Sequence, residues 1–138
     1  MQVVNQTVPS PEQMKEFFGS GEDGPFVMVN LLKFKQRAEY ADGRDNDLTG
    51  AQAYAIYGAA VGQCIADVGG TPGFAGEVTG LLLGEVEENW DTVALVEYPS
   101  LEAFRSMMMS PEYQTIAVHR SAGLEGQLNI RAKARPLG

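Results

Sequence analysis

Two capped amphipathic helices, set between short apolar runs of strand character, place the 138-residue chain in the α+β class. The order of those elements narrows the class. After a first short helix the chain reads strand, helix, strand, strand, helix, strand, the split βαβ arrangement of a ferredoxin-like sandwich. Its antiparallel sheet carries the strands in the order 4-1-3-2, with two helices over one face. The length suits a single domain over residues 1–138, its core spanning about residues 26–131 and residues 1–24 forming an N-terminal helical extension.

The elements follow from local signals. Ser10-Pro11-Glu12-Gln13 combines a capping Ser, a Pro at the first helical position and a Gln that closes a capping box. The helix it opens carries Met14, Phe17 and Phe18 and stops at Gly19-Ser20-Gly21. Phe26 to Phe34 is apolar and rich in branched residues, as a strand should be. Lys35 to Gly50 is polar and reads as one long surface loop. Thr49-Gly50-Ala51-Gln52 is a second capping box, and Tyr54, Tyr57, Val61, Cys64, Ile65 and Val68 then follow the three-four repeat until Gly69-Gly70. Glu77 to Glu85 is a weaker strand run, broken by Gly80 and Gly84, whereas Thr92 to Tyr98 is a strong one. Ser100 caps a helix with Leu101, Phe104, Met107 and Met108 on one side, and Ser110-Pro111-Glu112 restarts the helix to about Arg120. Leu124 to Ile130 alternates, which predicts Leu124, Gly126, Leu128 and Ile130 on one face and Glu125, Gln127 and Asn129 on the other.

The central strands, Phe26–Phe34 and Thr92–Tyr98, are apolar on both faces, and two helices cover only one face of a four-stranded sheet. A second copy laid sheet against sheet would cover the other, so a two-fold homodimer with a barrel-like interior is expected. Composition supports a folded protein, since 44% of residues are hydrophobic and 20% charged. Ten Lys and Arg against eighteen Asp and Glu give a net charge of −8, which argues against nucleic acid and against an anionic membrane as partners. Met1 to Ser10 lacks the basic-then-apolar pattern of a secretory signal, and no apolar run reaches the roughly 18 residues of a membrane span, so a cytoplasmic protein is expected.

Several motifs fall in a telling order: Asn30-Leu31-Leu32-Lys33-Phe34, Tyr54 and Tyr57, Gly69-Gly70, Trp90-Asp91 and Glu97-Tyr98-Pro99-Ser100. Ser110-Pro111-Glu112-Tyr113-Gln114 and Arg120 before Gly123-Leu124 complete the set. Together these resemble the domain-of-unknown-function 1330 family of the dimeric α/β-barrel superfamily, over about residues 26–131. The resemblance implies the fold and a dimer, but no agreed activity. Proteins sharing the barrel include cofactor-independent monooxygenases, isomerases, haem enzymes and ligand-sensing modules.

Asn30 and Glu97 each interrupt an apolar strand, and the strand order makes those strands neighbours. A buried carboxyl is costly unless paired, and burial moves its pKa toward the range of a general base. Glu97 is therefore the expected base or ligand anchor, with Asn30 orienting it or a substrate carbonyl. The competing reading makes Glu97 part of a structural hydrogen bond or salt bridge within the dimer, with Lys33 or Arg120 as its partner. His119, the only histidine, is the other acid–base candidate, and its place with Arg120 near a helix C-terminus also suits the helix dipole. Arg120 matches the family pattern and can clamp a carboxylate through two hydrogen bonds. Tyr54, Tyr57 and Trp90 are expected to line the pocket, although a tyrosine stripe at helical spacing also suits a core. The function expected is small-molecule binding, extending to cofactor-independent acid–base catalysis, and the alternative is a non-catalytic sensing or structural dimer.

No metal or cofactor is expected. Asp45, Asp47, Thr49 and Gly50 begin like a calcium loop, but Ile56 stands where the bidentate Glu belongs. One Cys and one His do not make a zinc site within one chain, and Cys64 falls on the apolar face of its helix without a catalytic partner.

Overall fold

Each of the four helices in the computed structural model starts where a side chain takes up a free backbone N–H. The model describes residues 3–137. Helix α1 (Pro11–Phe18) and helix α2 (Gly50–Asp67) open on the two capping boxes, with Ser10 bonded to the Gln13 N–H and Thr49 to the Gln52 N–H. Ser100 caps α3 (Leu101–Met109), and Ser110 ends it and caps α4 (Pro111–Gly123). Gly69 turns the chain out of α2 with φ of 79°, a left-handed backbone that favours glycine.

The sheet is formed by β1 (Phe26–Phe34), β2 (Thr71–Glu77), β3 (Thr92–Tyr98) and β4 (Leu124–Ala132). Its order is β2-β3-β1-β4 with β1 antiparallel to both neighbours, which is the expected 4-1-3-2 ferredoxin-like sheet. The core lies between the sheet and its helices. Phe26 and Met28 of β1 and Tyr98 of β3 are buried against Cys64 and Ile65 of α2 and Met107 of α3. Helix α1 closes one end through Phe17, whose ring lies edge-on to Phe26 and Phe104 at 6.2 and 6.1 Å.

Two expectations need correction. The second strand is Thr71–Glu77, not Glu77 to Glu85. Pro72 and two glycines weaken its propensity, but it is an edge strand, where a proline is tolerated, and its pairing with β3 shifts between Pro72 and Phe74. Residues 79–89 form an exposed connection instead.

The second correction concerns β4. A register shift opposite Lys33 and Phe34 leaves Glu125 as an extra residue, so the alternation read from the sequence breaks there. Leu124 is fully buried, while Leu128 and Ile130 pair with Leu31 and Val29 on the face turned away from the helices. Gln127, expected on the face opposite Leu124, lies on the helix side with it and is buried at 6% exposure.

The loop over residues 35–49 is mostly exposed, as a surface loop should be, and is anchored through two buried residues. Ala38 and Tyr40 are buried with Ala53 and Ala122, and backbone bonds join Ala38 to Leu48 and Glu39 to Ala122. The face of the sheet opposite the helices carries Val27, Val29, Leu31, Val93 and Leu95, none of them fully buried.

Candidate ligand pocket

The cavity that the fold leaves lies within the sandwich, between the helix side of the sheet and α2, with α1 and the N-terminal segment along its rim. Its volume is about 880 Å³, in the range of small-molecule sites. Four tyrosines line it: Tyr54 and Tyr57 from α2, Tyr98 from β3 and Tyr113 from α4. The helical spacing that puts Tyr54 and Tyr57 on one face sets their ring centroids 5.2 Å apart at a tilt of 54°, and the Tyr57 and Tyr113 hydroxyls meet at 3.3 Å. Burial pushes the Tyr54 phenol up to about 12, against the pull of the nearby Arg120 charge. Tyr57 and Tyr98 are raised by burial as well. At neutral pH these hydroxyls are therefore hydrogen-bonding phenols, not bases.

A polar chain crosses this aromatic wall. Asn30 occupies the helix side of β1 and donates its amide N–H to the carbonyls of Ala94, at 3.1 Å, and Met28, at 3.3 Å. Its Oδ1 accepts from Gln127 Nε2 at 3.2 Å, and Gln127 Oε1 accepts from the Arg120 guanidinium. Arg120 also donates to the Thr7 carbonyl at 3.0 Å. That bond and a bridge between Gln6 and Gln127 hold the N-terminal segment beside the cavity, where Val4, Thr7 and Val8 contribute to its wall.

The candidates therefore divide. Asn30, Tyr54, Tyr57 and Arg120 meet in one pocket. Glu97 does not: it pairs with Val27, three residues from Asn30 along β1, so it lies on the opposite face and is exposed. The expected Asn30–Glu97 pairing is thus corrected by strand register. Nor does an ion pair of 4.0 Å or less join Glu97 to Lys33, whose partners are Glu88 and Asp91.

His119 is placed elsewhere again, its Nδ1 2.6 Å from the Tyr40 hydroxyl, where it fastens the packed 35–49 loop to α4. Trp90 stands half-buried before β3 and outside the cavity wall. Reading the residues one by one missed Gln127, and its signal was present only as one polar position of β4 that the bulge turned inward. Among the described residues no three His, Cys, Asp or Glu side chains converge as metal ligands would, and no helix is long and apolar enough to cross a membrane.

None of the functionally curated proteins matches this chain. Among solved structures it is similar to a protein of unknown function from Rhodopseudomonas palustris, with 34% identity over 96% of this chain and 100% of that one, and a TM-score of 0.83. A dimeric ferredoxin-like protein of unknown function from Bacteroides fragilis shares the fold at 12% identity, over 80% of this chain and 97% of that one, with a TM-score of 0.51. So does a DABB-family protein with a ferredoxin-like fold from Mesorhizobium loti, at 11% identity over 83% and 99% of the two chains and a TM-score of 0.51. The family model that matches residues 44–132 is the domain of unknown function DUF1330, and the chain belongs to that family.

Proposed function

We propose that this protein binds a small, largely apolar organic molecule in the cavity between its sheet and helices, and that it works as a homodimer. The cavity itself carries the first half of that reading. A purely structural module would fill its interior, whereas here about 880 Å³ stays open beside four tyrosines and a fixed Asn30–Gln127–Arg120 chain. Few polar groups converging in an otherwise apolar pocket is the usual form of a small-molecule site.

The second half is supported by the open sheet face, where β1, β3 and β4 present Val29, Leu31, Leu95 and Ile130 away from their own helices. A second copy of that face is its natural cover, and the Bacteroides fragilis protein of the same fold is described as dimeric.

Acid–base catalysis by Glu97 or His119 gains no support from the geometry, since neither lines the cavity. The reading is therefore binding first, with Asn30, Tyr54, Tyr57 and Arg120 as the ligand-facing groups. A thermal-shift screen of aromatic and alicyclic metabolites tests it, because a ligand that binds only the folded state raises the unfolding temperature. Gly62 gives the control. It lines the cavity, and a Cβ added there meets nothing within 4 Å, so Gly62→Phe fills space without displacing backbone. Hits that vanish in Gly62→Phe place binding in the pocket. A screen without hits, or hits indifferent to the filled cavity, would count against it.

A further inference from the structure

We infer that the ligand of this pocket is an anion, an aromatic molecule carrying one carboxylate that is held by Arg120. The inference deepens the ligand-binding reading above and rests on it.

Charge placement is the first reason. The chain carries eighteen acidic residues against ten basic ones, yet its cavity wall reverses that balance. Arg120 and Arg131 are part of the wall, and Glu16, exposed on α1, is the one acidic residue in it. Arg131 is already committed, bonded to the Phe17 carbonyl and the Ser20 hydroxyl, with its guanidinium 4.5 Å over the Phe17 ring. Arg120 makes two hydrogen bonds as well, but among the described residues no aromatic ring covers its guanidinium. Its charge reaches the Tyr54 and Tyr57 phenols of the wall, so it is the cation offered to a ligand.

The second reason is the company Arg120 keeps. Its two observed acceptors, the Thr7 carbonyl and Gln127 Oε1, are both neutral. Among the described residues no carboxylate lies within 4.0 Å of either wall cation, Arg120 or Arg131, whereas Lys33, Lys35, Arg37, Arg44 and Lys133 outside the wall each have one. A half-buried cation without a counterion has given up water for incomplete compensation, and an incoming carboxylate restores it through charge-assisted, two-pronged bonds.

The arrangement is also fixed in advance. Gln127 is locked by its donation to Asn30, which is anchored to β3 through the Ala94 carbonyl, so the arginine is aimed by a chain rooted in the sheet. The Arg120 charge reaches the Tyr54 and Tyr57 phenols, which are donors suited to the same carboxylate. Beyond them Phe17, Val61, Ile65 and Phe104 supply the apolar wall for a ring system.

The test compares 2-naphthoate with its neutral isostere 2-naphthamide by isothermal titration on the full-length protein. The expected result is that naphthoate binds roughly ten-fold or more tightly, the ratio that a buried charge-assisted bond confers. In Arg120→Gln the two affinities should converge. Equal affinities in the unaltered protein would overturn the anion while leaving the pocket intact. Binding of neither probe would remove the pocket and the anion together. If Arg120→Gln does not fold, the comparison in the unaltered protein decides alone.

Discussion

At the scale of single residues, the pocket depends on a buried Gln127 hydrogen-bonded to two half-buried neighbours, Asn30 and Arg120. Gln127 joins Asn30 to Arg120, so its loss would leave an amide and a guanidinium short of partners inside the fold. The tyrosines allow a sharper test. The Tyr54 phenol is pushed from its ordinary 10.0 up to about 12 by burial, and Tyr57 and Tyr98 are displaced in the same direction. A group whose folded pKa is raised keeps its proton in the native state after the unfolded chain has released it. Stability is therefore fully present below pH 10 and declines as pH rises from there through the folded values, about 12 for Tyr54. A near-ultraviolet absorbance titration should show these phenols ionising late in the native protein, with the urea midpoint falling over the same window. Replacing Tyr54 by Phe should remove one late-titrating phenol. Simultaneous titration of every tyrosine near pH 10 in the folded protein would contradict the buried aromatic wall.

At the scale of elements, α2 and α4 cross through two glycines. A Cβ on Gly123 would lie 2.3 Å from the Gly50 carbonyl oxygen and 2.9 Å from the Tyr54 N–H nitrogen, both backbone atoms that have no rotamer to yield. Gly123→Ala should then cost about 1–3 kcal/mol of overpacking, or more if the helices separate. Gly58, also on α2, meets nothing within 4 Å, so Gly58→Ala should stabilise by about 0.5–1 kcal/mol through helix propensity. Opposite signs in urea unfolding would support the crossing, and two changes of the same sign would deny it.

The elements also show what a linear sequence carries. Helix starts were legible because a cap is a local event: Ser10 with Gln13 and Thr49 with Gln52 need only neighbouring residues. Strand order was legible through connection rules. The orientation of a side chain was not. The alternation in β4 shows which residues share a face, but neither which face turns inward nor that Glu125 is an extra residue in the pairing. The same gap separated Glu97 from Asn30, since strand adjacency without register cannot say that one faces the helices and the other solvent. The pocket residues that were legible, Tyr54, Tyr57 and Arg120, lie on helices whose phase the sequence displays directly.

At the scale of the whole molecule, the inward turn of Gln127 has a counterpart outside. Because β4 directs its polar residue to the helices, its apolar residues Leu128 and Ile130 are directed to the open face, beside Leu31 and Val29. A monomer that kept this arrangement would bury amide groups and expose aliphatic ones on the same strand, the reverse of what water favours. Ile130 is 47% exposed and Phe74 59% exposed in the single chain. A second copy would resolve the conflict without any change inside the fold, although each chain would bring a charge of −8, because Val29, Leu31, Leu95 and Ile130 at the middle of that face are apolar. The consequence is a clean separation of assembly from folding. Leu95 sits on β3 between Val29 of β1 and Phe74 of β2, at the middle of the open face. Leu95→Arg should place a charge at the centre of the proposed dimer interface, on a side chain directed away from the helix side of the sheet. Multi-angle light scattering at micromolar concentration should give a dimer for the unaltered chain and a monomer for Leu95→Arg, with the same circular dichroism spectrum. A monomeric unaltered chain would remove the dimer outright. A variant that stays dimeric would move the interface to another surface, where the exposed Leu82 and Leu83 of the β2–β3 connection offer the next apolar candidates.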